Sequence, residues 1–169
     1  MAEVPEAVGI GEFQAGGGAR DFIVYGLGSC VAVVLHDASA GVGGLAHVLL
    51  PGPRPPSDRR EGLPAKYADE ACTSLAKALV ALGADRRRLK AGLVGGARLF
   101  ASETPLEEGV GARNVQGALC VLDRLGIPIR WQETGGEAGR TVRFGLPGGA
   151  LAVRTLREGW RDVPSQDGA

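Results

Sequence analysis

The chain has 169 residues, 44% of them apolar, and its nineteen lysines and arginines are matched by nineteen aspartates and glutamates. That length suits a single domain over 1–169 with an adequate core, and the balanced charge gives no global field to draw in nucleic acid or an anionic membrane. No apolar stretch approaches the roughly 18 residues of a spanning helix, Glu3 and Glu6 stand where a basic secretory signal would begin, and three widely spaced cysteines make no disulfide framework, so a reduced, cytoplasmic protein is expected.

Twenty-eight glycines and ten prolines predict many tight turns, hence numerous short strands and few helices. Residues 8–13 and 22–25 read as short strands separated by Gly16-Gly17-Gly18. Two β-rich runs, 31–36 and 42–50, flank Asp37-Ala38-Ser39-Ala40-Gly41, which is the grammar of a hairpin with a four- or five-residue loop. From 51 to 64 the composition turns to Pro, Arg, Ser and Asp, a loop that could border a site. A helix over 66–82 follows, because Ala68, Ala71, Cys72, Leu75, Ala78, Leu79 and Leu82 form one apolar stripe, and Gly83 is placed to end it. The run Arg86-Arg87-Arg88 with Lys90 reads as a solvated corner, since no aromatics are interleaved with the charges. A strand over 89–94 runs into Gly95-Gly96. A second helix over 112–125 buries Val115, Ala118, Leu119 and Leu122 and stops at Gly126. Strands follow over 127–131, 140–145 and 151–155, the last two joined around Pro147-Gly148-Gly149, and the polar tail from about 161 is expected to fray. This order predicts an α+β fold, a mostly antiparallel sheet with helices packed against it.

The chemistry concentrates at Cys30, which follows the glycine-punctuated turn Gly26-Leu27-Gly28-Ser29. A thiol needs a base to become the attacking thiolate, and His47 lies on the neighbouring strand. A loop over 37–40 sets Cys30 opposite His47, with Cβ atoms about 4.5–5.5 Å apart, whereas a five-residue loop sets His47 opposite Val31. The amides around Gly28, Ser29 and Cys30 could converge on a developing oxyanion. His36 lies six residues along the strand from Cys30, about 20 Å at 3.3 Å per residue, too far for proton transfer, and is expected exposed at the hairpin tip. Cys72 and Cys120 sit within the two helices and read as small core hydrophobes. An activated Cys30 would ionise well below the ordinary thiol value of about 8.5. Zinc, dinucleotide, phosphate-loop and serine-hydrolase motifs have no matching spacing, so neither cofactor nor metal is expected.

The blocks Gly26-Leu27-Gly28-Ser29-Cys30-Val31, Ala46-His47-Val48-Leu49-Leu50-Pro51, Gly95-Gly96-Ala97, Gly111-Ala112-Arg113-Asn114-Val115 and Thr134-Gly135-Gly136 occur in order along most of the chain. In these blocks the sequence resembles the CheD family of chemoreceptor glutamine deamidases. The resemblance implies an α/β/β layered sandwich and a cysteine hydrolase that converts receptor glutamines to glutamate. In that chemistry Cys30 is the nucleophile and His47 the base. It also implies chemoreceptors as substrate and a CheC-type phosphatase as a further partner. The family's third site residue, a threonine six positions before the cysteine, falls here on Val24, which has the shape but no hydroxyl. Either another group such as a backbone carbonyl holds His47, with Tyr25 and Thr134 as side-chain candidates, or activity is reduced and the protein serves as an adaptor. A thiolate could equally attack receptor methyl esters. Arg113 and Asn114 read as a polar helix start rather than substrate contacts.

Overall fold

The computed structural model describes residues 3–59, 62–100 and 109–166. Among them, ten strands form two five-stranded sheets, ordered β1-β3-β8-β9-β10 and β2-β5-β4-β6-β7, with two α-helices. The first sheet comprises β1 (Glu6–Ala7), β3 (Arg20–Leu27), β8 (Arg140–Leu146), β9 (Ala150–Arg154) and β10 (Arg161–Asp162). The second comprises β2 (Phe13–Gly17), β4 (Val31–Asp37), β5 (Val42–Val48), β6 (Lys90–Gly95) and β7 (Ile129–Thr134). Among these ten strands, β1 with β3 and β6 with β7 pair in parallel and the other pairs are antiparallel. Helices α1 (Ala68–Ala81) and α2 (Val110–Arg124) cover one face of the second sheet, and the first sheet covers the other. The layers run helix, sheet, sheet, as expected.

Strand β4 shows why. Its sequence is a continuous apolar run because both faces are buried. Val31, Val33 and Leu35 pack on Leu75, Leu79, Ala118 and Leu122 of the helices, while Ala32 and Val34 face Phe22, Val24, Val142 and Phe144 of the other sheet. Any side chain on the even positions therefore points between the sheets, and one at the strand's start points to the rim of that interface.

The β4–β5 hairpin corrects both expected registers. Asp37 pairs with Val42, leaving a four-residue loop over 38–41, so Val31 faces Val48 and Ala32 faces His47. Asp37 belongs to the strand because its carboxylate is completely buried and occupied. It takes the Arg88 guanidinium at 2.9–3.2 Å, the Asp85 amide at 2.8 Å and the Ala40 amide at 3.1 Å, which also shapes the turn. Arg88 therefore ties the corner between α1 and β6 to the hairpin, while its neighbour Arg87 stays exposed on Asp85.

His36 is also corrected. Instead of lying exposed at the tip it is 1% exposed, because the β8–β9 turn folds over it: Nε2 bonds the Pro147 carbonyl at 2.9 Å and the ring meets Phe144 edge-on, 5.7 Å between centroids. Cys120 is exposed rather than buried. The buried positions of α2 are Gly111, Asn114, Val115, Ala118, Val121 and Leu122, and a residue two beyond Ala118 lies about 200° around the helix. Cys72 is buried. The polar tail contributes β10, which pairs with β9, and Val163 beyond it is buried.

Candidate active site

The turn carrying Cys30 is aimed by an irregularity in β3. Its pairing with β8 shifts between Val24 and Leu27, where Gly26 takes φ 61°, a conformation open mainly to glycine. The chain then passes under β6: Gly96 N donates to Cys30 O and Ala97 N to Gly28 O, both at 2.9 Å. This crossing requires glycine at 95, where a Cβ would stand 2.4 Å from Cys30 O and φ is 110°.

His47 and Cys30 share a face of the second sheet. His47 is opposite Ala32, and Cys30, two residues before Ala32, packs on the same inter-sheet cluster. The two are therefore diagonal neighbours, for which strand geometry sets a spacing of about 7–8 Å. Cys30 is partly exposed and His47 is 5% exposed.

What holds the imidazole is a main-chain group. His47 Nδ1 lies 3.3 Å from the Val8 carbonyl, and since a carbonyl only accepts, Nδ1 carries the proton and Nε2 is the nitrogen left to take another. The Val8 carbonyl is itself fixed, because Val8 N donates to Ile23 O at 2.9 Å where β1 joins β3. Continued one step, that parallel register sets Val8 beside Val24. The chain just beyond this point also grips the His47 backbone: Gly11 N donates to His47 O and His47 N to Glu12 O, both 2.9 Å. Tyr25 points to solvent, and the Thr134 hydroxyl receives Gln132 Nε2 at 3.2 Å.

Burial pushes the Cys30 thiol above its ordinary value, its own backbone amide pulling weakly the other way. Burial likewise lowers His47, partly offset by the Val8 carbonyl. At neutral pH both groups are uncharged, which differs from the activated thiol expected from sequence. The reason is the dry rim of the sheet interface: it disfavours the thiolate and the imidazolium alike.

Beside Cys30 opens a cleft of about 560 Å³ whose lining includes Ser29, Leu99, Phe100, Val110 and the segment 134–136. Phe100 is 82% exposed. Arg140, buried, fastens the far wall by donating to the Glu133 carbonyl at 3.0 Å and to the Gly135 carbonyl. The near wall is set by Asn114, fully buried near the start of α2, whose Nδ2 donates to Ser29 O at 2.8 Å and to Leu49 O at 3.0 Å. Its neighbour Arg113 is exposed. The role of Asn114 was missed, yet a signal existed: an amide at a core position of an amphipathic stripe needs buried partners. Arg140 carried no such signal. Among the described residues no group of three His, Cys, Asp or Glu side chains could hold a metal ion.

Residues 49–155 match the family model described as "CheD chemotactic sensory transduction", a segment that begins just after His47. Curated relatives extend the likeness to about 90% of the chain. The chain is 42% identical over 152 residues to a "Probable chemoreceptor glutamine deamidase CheD" of Pyrococcus horikoshii, covering 90% of this chain and 93% of that protein. Proteins of the same name from Archaeoglobus fulgidus and Desulfitobacterium hafniense are 40% and 38% identical, each covering 90% of this chain and 94% of its own length.

Proposed function

This chain belongs to the CheD family, and from that membership we propose that it is a single-domain, cytoplasmic hydrolase that deamidates glutamine side chains of chemoreceptors. The observation that carries the proposal is the diagonal placement of Cys30 and His47 on one face at the rim of the sandwich, with His47 Nδ1 on the Val8 carbonyl.

His47 Nε2 takes the thiol proton as Sγ bonds to the side-chain amide carbon, and the C=O π pair moves onto oxygen. The tetrahedral species collapses, the C–N bond breaks, and the imidazolium proton leaves with ammonia. Water, deprotonated by the same imidazole, then adds to the thioester, and the C–S bond breaks to give glutamate and the free thiol. Because both groups start neutral, proton transfer accompanies attack instead of preceding it. Each oxyanion needs donors beside Cys30, and the amides of Gly28, Ser29 and Cys30 are the nearest source. The exposed apolar lip at Leu99 and Phe100 suits the side of a receptor helix bearing the target glutamine. A CheC-type phosphatase is a second partner that fits the family reading.

Incubation with the cytoplasmic fragment of a chemoreceptor is expected to release ammonia and add about one dalton per glutamine converted. Cys30→Ala is expected to abolish this while leaving the urea midpoint nearly unchanged, since a half-buried sulfur at the rim is lost. An unmodified receptor after incubation with folded wild-type protein would exclude the deamidase. Val24 motivates a second reading, an adaptor that binds receptor or phosphatase without turnover, and receptor binding with no mass change would identify it. Receptor glutamate methyl ester, assayed beside glutamine, separates esterase from amidase action.

A further inference from the structure

Asn114 presents an arrangement that the proposed chemistry above leaves unused. Its side chain is completely buried, both of its Nδ2 hydrogens are spent on main-chain carbonyls, and its Oδ1 is buried with no partner among the described residues. The orientation is settled by those neighbours: a flipped amide would turn Oδ1 onto two carbonyl oxygens. An orphaned buried acceptor is destabilising, so this position gives up stability for what the two donors hold.

One donor holds Leu49 O, two residues past His47. The other holds Ser29 O, which belongs to the peptide unit containing the Cys30 amide. That peptide is trans, so the Cys30 N–H points opposite to the Ser29 carbonyl, away from Asn114. It donates to no backbone carbonyl among the described residues. A donor beside the attacking sulfur is where the oxygen of an attacked amide acquires charge. The opposite end of the turn is held independently, with Gly28 O on Ala97 N, leaving the Ser29–Cys30 plane as the part that, among the described residues, Asn114 fixes from the helix side.

We propose that Asn114 is the positioning residue of the oxyanion site: by gripping the Ser29 carbonyl it locks the Ser29–Cys30 peptide so that the Cys30 amide faces the carbon under attack. Asn114 touches no substrate atom. Its bond to Leu49 O keeps the same peptide in step with the strand that carries His47, so nucleophile, oxyanion donor and base move as one unit. This rests on the deamidase reading given above.

The test separates the oxyanion from the thiol. Deamidation passes through a tetrahedral oxyanion, whereas alkylation of Cys30 by iodoacetamide is displacement at a saturated carbon and forms none. Asn114→Ala is expected to lower kcat on a receptor cytoplasmic fragment by about 10²–10³-fold, the usual effect of losing one oxyanion donor, with KM and the alkylation rate each changed less than about threefold. Leu122→Ala, a core cavity in the same helix of comparable or larger stability cost, should leave kcat within about threefold. Asn114→Ser, which keeps a shorter donor, covers the case in which the alanine variant does not fold, and should lose less. On the wild-type protein, a receptor peptide with the target glutamine replaced by a side-chain aldehyde should add to Cys30 and shift the Cys30 amide proton downfield. A kcat retained in folded Asn114 variants, a parallel fall in alkylation, an equal fall in Leu122→Ala, or an unmoved Cys30 amide each overturns the proposal. Failure of the wild-type protein to deamidate receptor overturns the deamidase reading instead, which the alkylation and aldehyde measurements do not require.

Discussion

Cys30 and His47 sit in surroundings that push their ionisations apart, the thiol upward and the imidazole downward. A thiolate–imidazolium pair is therefore not the resting state, and the free enzyme should be a slow target for alkylating reagents. The rate of Cys30 alkylation by iodoacetamide, followed by mass spectrometry from pH 6 to 10, is expected to rise with a midpoint above that of a free thiol, about 8.5. A midpoint near neutrality would mean a preformed ion pair and would replace concerted proton transfer. Such a profile would not distinguish an enzyme from an adaptor, because burial hides the thiol in both. The choice of Cys30 over the other cysteines was legible from the glycines and serine around it. The fate of His36 was not: nothing near it in sequence announces Pro147, 111 residues away, whose carbonyl meets its ring.

Among the elements, α2 and the N-terminal segment do most to place the site. Helix α2 approaches the main chain closely at Gly117, where a Cβ would meet Pro51 O at 2.6 Å and Pro51 Cα at 2.9 Å. Backbone cannot retreat as a side chain can, so Gly117→Ala should destabilise by about 1–3 kcal/mol through overpacking, despite alanine's better helix propensity of about 1 kcal/mol. Urea denaturation measures this, and a stabilised variant would show that α2 moves freely. The segment from β1 to β2 grips His47 on both sides of its backbone and at its ring. Deleting residues 1–9 should cut kcat at least about tenfold by loosening the base, with the alkylation profile shifted little; unchanged turnover would mean that Val8 is dispensable. Helix positions and the final hairpin followed from apolar period and turn glycines. The β4–β5 register did not, because the deciding residue, Asp37, reads as loop by composition and stays in the strand only by burying its carboxylate against Arg88 and Asp85.

At the scale of the molecule, the sandwich holds histidines neutral between its layers. Burial lowers His36, the Pro147 carbonyl opposing, with Arg130 also lowering it and Asp37 raising it; burial lowers His47 as well. Folded values below unfolded ones mean that the unfolded chain binds more protons in the window between them, so stability falls as pH drops below about 6.5. The urea midpoint should be lower at pH 5.5 than at 7.5, and His36→Gln should flatten that slope. A midpoint that is constant or rises on acidification would contradict it. A second loss should begin below the ordinary carboxylate value of about 3.9, since Arg88 holds Asp37 down at about 2. The α+β class was readable from the order of strands and helices and the two-sheet layering from the family resemblance, but which groups end up between the layers depended on the inter-sheet pairing.

The carbonyl that orients His47 is part of the polypeptide itself, and no codon change at residue 8 can delete it. A hydroxyl in that role would be one mutation from loss. Here position 24 is released to serve as an apolar packing unit between the sheets, while orientation of the imidazole is inherited with the path of the chain.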